Sequence, residues 1–198
     1  MFRIVIAAAA VLAATPALAQ PAPRQGPPPG GARERLFISP AGEPFRGEDG
    51  LAAWFAGADA DHDGALTLDE FRNDALRFFE RLDADGDAQI DGPENTVYET
   101  KIAPEITRFD EPGGPGGGPP PGKRPLIRKV DRHAQPRTGA ARFSLLNEPQ
   151  PVRGADADLN QRVSRDEWAK AARRRFELLD AGQNGKLTLE ALRPRLKR

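Results

Sequence analysis

The sequence predicts an all-α protein with two pairs of loops, in which one central helix is shared by both loops of each pair. The first observation is an internal duplication, because residues 58–83 match residues 155–180 at an offset of 97. The second is that an acidic loop recurs 24 residues later within each half. Only 12 residues, about 18 Å of helix, separate Glu70 from Asp83, so a single helix must serve both loops.

The first 19 residues have the pattern of a secretory signal peptide. Residues 1–3 give a positively charged start, residues 4–14 are an unbroken apolar run of 11, and residues 17–19 read Ala-Leu-Ala. An 11-residue helix spans only about 16 Å of the roughly 30 Å hydrocarbon core of a bilayer. We therefore expect cleavage, a periplasmic or secreted bacterial product, and no transmembrane segment in the mature chain.

Segments rich in Pro and Gly divide the rest of the chain. We expect residues 20–35 to be disordered, and residues 112–122 are 11 consecutive Pro or Gly residues that no helix can include. The predicted domains are a first loop pair at 36–110 and a degenerate second pair at 142–198. A Pro/Gly-rich and basic linker at 111–141 joins them.

Charge is distributed unevenly, although the net charge is zero. Residues 43–111 hold 19 acidic and 6 basic side chains, whereas residues 112–198 hold 9 and 19. This asymmetry predicts cation binding in the first half and anionic partners or self-association for the second. The basic residues at 123–142 fit a solvated or disordered segment. Because we expect export, an anionic envelope surface, an unidentified protein or the chain's own acidic first half is a better candidate partner for them than nucleic acid.

Composition and motifs exclude several kinds of site. The chain has no Cys, which removes disulfides, thiolate catalysis and zinc–thiolate centres, and two His are too few for a metal site built from imidazoles. The sequence contains no G-x-S-x-G, H-E-x-x-H or phosphate-loop motif. We therefore expect a protein that is not an enzyme.

The first acidic loop has the residue types and the spacing that Ca²⁺ requires. Six to eight oxygens surround the ion when positions 1, 3, 5, 7, 9 and 12 of a loop supply ligands and a glycine at position 6, here Gly64, allows a sharp turn. The loop resembles the EF-hand at every one of these positions. The resemblance implies that Ala65 binds through its carbonyl oxygen and Glu70 through both carboxylate oxygens. The implied ligands are Asp59, Asp61, Asp63, Ala65, Thr67 and Glu70.

The second loop has every carboxylate of the family pattern and a further one at position 9. Its implied ligands are Asp83, Asp85, Asp87, Gln89, Asp91 and Glu94. It departs from the pattern at position 6, where Ala88 replaces glycine. A left-handed backbone at a residue with a Cβ costs about 1 kcal/mol, so we expect weaker binding rather than none.

The third and fourth loops depart further from the pattern. The third has fewer charges and Gln161 at position 6, and its implied ligands are Asp156, Asp158, Asn160, Arg162, Ser164 and Glu167. The fourth has Gly182 at position 3 and Ala191 at position 12, which favours a structural partner over a binding site. Position 8 is aliphatic in all four loops, from which we expect the two loops of each pair to be joined by a short β-ladder.

Helical periodicity predicts the core. Phe71, Ala75, Phe78, Phe79 and Leu82 form one apolar stripe, and Trp168, Ala172, Phe176 and Leu179 form another. An incoming helix over 49–58 and an outgoing helix over 93–102 should flank the first pair. Two prolines before the third loop forbid an ordinary incoming helix, so that segment should be extended. Residues 37–45 should pack on the first pair.

These features predict an exported calcium-binding protein that acts as a non-enzymatic sensor, buffer or other binding module. The 24-residue spacing also resembles lanmodulin, a periplasmic lanthanide-binding protein, which makes lanthanide binding one alternative. The resemblance is incomplete because lanmodulin has Pro at the second loop position, where this chain has Ala in all four loops. A calcium-stabilised protein that contacts the envelope is the other alternative.

Overall fold

A computed structural model describes residues 35–108 and 137–197 of the chain. The predicted signal peptide, nearly all of the segment after it and most of the predicted linker lie outside these residues. In the described ranges, none of the helices is long and apolar enough to cross a membrane.

An antiparallel hairpin precedes the first helix. Its strands are β1 (Arg35–Ile38) and β2 (Pro44–Gly47), and Phe37 lies opposite Phe45 in the register. The predicted apolar segment is therefore a hairpin, with Phe37 and Ile38 buried in the core.

The helices follow the predicted order. In the first half they are α1 (Gly50–Ala58), α2 (Leu68–Leu82), α3 (Gly92–Val97), a π-helical turn (Tyr98–Ile102) and α4 (Glu105–Arg108). In the second half they are α5 (Arg165–Leu179) and α6 (Leu189–Leu192), with 3₁₀ turns at Gly139–Phe143, Arg153–Ala155 and Arg193–Lys197. The two shared central helices, α2 and α5, are confirmed. The segment before the third loop has no α-helix, as predicted, but it contains two 3₁₀ turns and is not simply extended.

Short strands connect the loops across the two halves. They are β3 (Ala65–Thr67), β4 (Gln89–Ile90), β5 (Val163–Ser164) and β6 (Lys186–Thr188). Strand β3 pairs with β6 and β4 pairs with β5, both antiparallel. Loop 1 is thus joined to loop 4, and loop 2 to loop 3.

The expected ladder within each sequence-adjacent pair is therefore wrong. Helix α2 has 15 residues, about 22 Å, and it holds loops 1 and 2 at its opposite ends. Neighbouring strands in a ladder are only about 5 Å apart, so these two loops cannot pair with each other. The helix α5, lying antiparallel to α2, brings the partner loops instead. The all-α fold class is accordingly corrected to a helical fold with short two-stranded ladders.

The core lies mainly between α2 and α5 and draws on both halves. Every residue of the two predicted apolar stripes is buried, and these residues belong to one continuous cluster. The Phe71 and Phe176 rings meet edge to face with centroids 5.6 Å apart, and Phe79 meets Trp168 at 5.8 Å. The halves therefore share a core, which keeps the four loops at fixed positions on it.

Candidate metal centre

All four loops have the same local hydrogen-bond pattern. The N–H of position 6 donates to the carboxylate of position 1, at 2.8–3.1 Å, in the pairs Gly64–Asp59, Ala88–Asp83, Gln161–Asp156 and Gly185–Asp180. The N–H of position 7 donates to the side chain of position 5, at 2.7–3.0 Å, in the pairs Ala65–Asp63, Gln89–Asp87, Arg162–Asn160 and Lys186–Asn184. The repeated residue types therefore fold the backbone into the same turn each time.

Position 6 has a left-handed backbone whichever residue occupies it. Gly64 has φ of 82°, and Ala88 and Gln161 have φ of 62° and 67°. The left-handed backbone expected at Ala88 is thus present, and weaker binding by the second loop stays a prediction. Position 4 is also left-handed, with φ of 58° at His62 and 60° at Leu159, which the sequence reading missed because neither residue type indicates it. Each such residue adds about 1 kcal/mol of strain that glycine would avoid.

The glutamate at position 12 closes each of the first three loops. Glu70 accepts hydrogen bonds from the N–H groups of Ala60 at 3.1 Å and Thr67 at 2.9 Å, while its own N–H donates to the Thr67 hydroxyl. The bonds from the Thr67 backbone and hydroxyl lower the pKa of Glu70. Glu94 and Glu167 form the same capping boxes with Asp91 and Ser164. The same residues therefore start a helix and supply a charged carboxylate to the loop.

Three groups of carboxylates converge in the described residues. In each group, every side chain offers one carboxylate oxygen, and these three oxygens lie within 4.8 Å of one another. The groups are Asp59–Asp61–Glu70, Asp83–Asp85–Glu94 and Asp156–Asp158–Glu167. Asp59 is buried, and its Oδ1 atom has no hydrogen-bond partner among the described residues. A buried carboxylate oxygen without a donor is costly unless a cation binds it. Loop 1 therefore fits a hard cation.

The other predicted ligands lie around these groups. Position 5 is occupied by Asp63, Asp87 and Asn160, none of which belongs to the converging groups. Position 7 is the first residue of β3 at Ala65 and of β4 at Gln89, and Arg162 directly precedes β5. Position 9 caps the following helix, at Thr67, Asp91 and Ser164. All 18 predicted residues therefore lie in the loops as expected, and their binding of metal stays a prediction.

Comparison with known proteins agrees with this geometry. The sequence model of a family described as "EF hand" matches residues 51–73, which include α1, the first loop and the start of α2. This stretch of the chain therefore matches an EF-hand motif. The chain is also similar to an Arabidopsis thaliana protein named "Probable calcium-binding protein CML34", with 27% identity over 122 residues that cover 56% of this chain and 86% of the relative. No solved structure matches the chain. The match, the relative and the carboxylate groups together support Ca²⁺ as the ion that these loops bind.

The fourth loop contributes a residue that the sequence reading overlooked. Lys186, at its position 7, extends its ammonium group to Asp63 of loop 1, with Nζ 2.9 Å from Oδ2. Hydrogen bonds from Lys186 and from the Ala65 N–H lower the pKa of Asp63. No local signal could have revealed this contact, because Asp63, the partner of Lys186, is distant in sequence.

Proposed function

We propose that this protein is exported and acts as a non-enzymatic calcium-binding module, either as a buffer or as a sensor. The convergence of three carboxylates in each of loops 1, 2 and 3 is the observation that supports it most directly. Because the position 12 glutamates also cap α2, α3 and α5, ion binding would be coupled to the stability of these helices. The signal-like first 19 residues support export.

A calcium titration by calorimetry, with circular dichroism in parallel, tests this proposal on residues 20–198. We expect binding to loops 1 and 2 and an increase in thermal stability as Ca²⁺ is added, because a ligand bound only by the folded state stabilises it. Millimolar Mg²⁺ serves as the control, since it prefers a smaller octahedral site. No heat and no stabilisation with millimolar Ca²⁺ would contradict the proposal.

Lanthanide binding is the second candidate, and the shared helices with 24-residue loop spacing favour it. The second loop position holds Ala60, Ala84, Ala157 and Ala181, in contrast to the Pro of lanmodulin. We therefore propose calcium as the physiological ion. If the protein folds when La³⁺ is added but does not respond even to millimolar Ca²⁺, the proposed physiological ion becomes a lanthanide. Contact with an anionic envelope surface stays a prediction for the basic residues at 123–142.

A further inference from the structure

The ladder between loops 1 and 4 places the ammonium group of Lys186, in loop 4, beside Asp63, a predicted ligand in loop 1. In the register, Lys186 lies opposite Thr67, and its Nζ atom is 2.9 Å from Asp63 Oδ2 although the two residues are 123 positions apart. Asp63 is at position 5 of loop 1, where the EF-hand pattern has a calcium ligand. The contact therefore connects the loop with fewest ligands to the loop with the complete set.

The position of Lys186 is fixed by buried neighbours. Leu66 and Leu187 lie opposite each other in the ladder, with exposed fractions of 0% and 2%, so the two strands cannot slide without exposing the core. The side chains of Lys186 and Asp63 are exposed by 51% and 38%, which leaves room for a cation and for water. The ladder thus holds the Lys186 ammonium group beside loop 1.

The corresponding residue of the other ladder makes no such contact. Arg162 occupies position 7 of loop 3, next to the β4–β5 ladder with loop 2, yet it forms no ion pair within residues 35–108 and 137–197. Arg165, the other basic residue of loop 3, pairs with Glu80 instead, so no ion pair joins loops 2 and 3 in these ranges. The sequence predicts weaker binding by loop 2 because it has Ala88 where loop 1 has Gly64. The two loops also differ in that, among the described residues, only loop 1 forms an ion pair with its partner loop.

We propose that Lys186 determines the cation affinity of loop 1 by opposing the entry of positive charge. This inference rests on the proposed function, in which loop 1 binds Ca²⁺. An arriving ion must share the Asp63 carboxylate with the ammonium group or displace it, and both lower the affinity. Because the Coulomb repulsion grows with the charge of the ion, the penalty is larger for a trivalent lanthanide than for Ca²⁺. Lys186 consequently shifts loop 1 toward divalent ions.

The test compares Lys186→Met with the wild-type chain, and Lys170→Met is the matched control because it also removes an exposed lysine that is ion-paired with an aspartate, here Asp166. Lys186→Arg restores the charge, and Lys186→Gln is a second neutral variant. Titrations with Ca²⁺ and La³⁺ are followed by nuclear magnetic resonance through the position 6 amides, Gly64 for loop 1 and Ala88 for loop 2. These amides donate to position 1 of their own loops, so each reports on one site.

We expect both neutral variants to raise the Ca²⁺ affinity of loop 1 about two- to fivefold at low salt, the range of an exposed ion pair, with a larger gain for La³⁺. The gain should shrink at 1 M salt, where the Debye length is about 3 Å. Loop 2 should be unchanged, and Lys186→Arg and Lys170→Met should leave loop 1 near wild type.

Three results would overturn the inference: an unchanged or lower Ca²⁺ affinity in the neutral variants, a gain for La³⁺ no larger than for Ca²⁺, or an equal gain in Lys170→Met. The failure of the proposed function looks different, because then neither Gly64 nor Ala88 responds to Ca²⁺ in the wild-type chain.

Discussion

Trp168 donates a hydrogen bond from its indole N–H to the carbonyl oxygen of Ala75, at 2.7 Å in the buried centre of the molecule. The two residues belong to α5 and α2, the central helices of the two halves. A buried indole needs an acceptor, and here the acceptor is a carbonyl of the other half. This bond and the β3–β6 and β4–β5 ladders join the two halves, so each half alone lacks part of its core and the partners of its strands.

Separate halves should therefore fail to fold. We expect residues 35–110 and residues 137–198, produced individually, to lack near-ultraviolet circular dichroism from ordered aromatic side chains, and an equimolar mixture to regain it. Each half alone would expose the apolar faces that α2 and α5 bury against each other. A second half carrying Trp168→Ala is the control and should not restore the signal. Cooperative thermal unfolding of either half alone would contradict this prediction.

Replacing the position 12 glutamates should remove most calcium binding. We expect Glu70→Gln to lower the affinity of loop 1, and Glu94→Gln that of loop 2, by about 10- to 100-fold, since an amide offers a single uncharged oxygen. Calorimetry of the double variant should show the loss of both sites. Glu190→Gln changes an exposed glutamate of loop 4 and is the control. Unchanged stoichiometry and affinity in the double variant would contradict the assignment of these ligands.

Alkaline pH should destabilise the fold through Tyr98. Burial raises the pKa of its hydroxyl, which donates to the Gly42 carbonyl oxygen at 2.9 Å. The folded state keeps the neutral phenol while the unfolded chain ionises near pH 10, so stability is full below that pH and falls as the pH rises above it. The slope from this group is at most about 1.4 kcal/mol per pH unit.

Urea unfolding between pH 8 and pH 11 measures this effect, and Tyr98→Phe is the matched variant. Its stability should fall less steeply, although it starts lower because the hydrogen bond is gone. Tyr98 is the single tyrosine of the chain, so absorbance at 295 nm follows it alone. Ionisation of the folded protein with an ordinary pKa would contradict the prediction.

The buried carboxylate of Glu43 should contribute more to the free energy of unfolding than the exposed carboxylate of Glu80. Glu43 is 6% exposed, and it pairs with Arg77 at 2.6 Å and with Arg81, which fastens the β1–β2 hairpin region to α2. We expect Glu43→Ala to lower the free energy of unfolding by about 1–3 kcal/mol, because Arg81 loses its carboxylate partner and Arg77 keeps only Asp74. Glu80→Ala breaks the exposed pair with Arg165 and should cost below about 0.5 kcal/mol. Equal losses, measured by urea unfolding, would contradict the distinction.

Sequence reasoning predicted those features that depend on nearby residues. The central helices, the apolar stripes and the turns follow from periodicity and from the spacing within 12 positions. Loop pairing was not predictable from the loops themselves, because Leu66, Ile90, Val163 and Leu187 offer equivalent aliphatic residues for any pairing. The length of α2 could have decided the question, since a rigid helix separates the loops at its ends. The Lys186–Asp63 contact depends on that pairing and was missed with it.

Because loop 1 pairs with loop 4, the fold cannot be completed until late in synthesis. Asp63 and Lys186 are 123 positions apart, so at about 5–20 residues per second β3 waits roughly 6 to 25 s for the ribosome to make the strand that completes its ladder. During that interval the backbone edge of β3 has no native partner, and the apolar face of α2 has none until α5 has been made. A chain that forms such distant contacts folds slowly. The nascent protein is therefore most vulnerable to aggregation before β6 has been translated, and its first loop is among the last parts to mature.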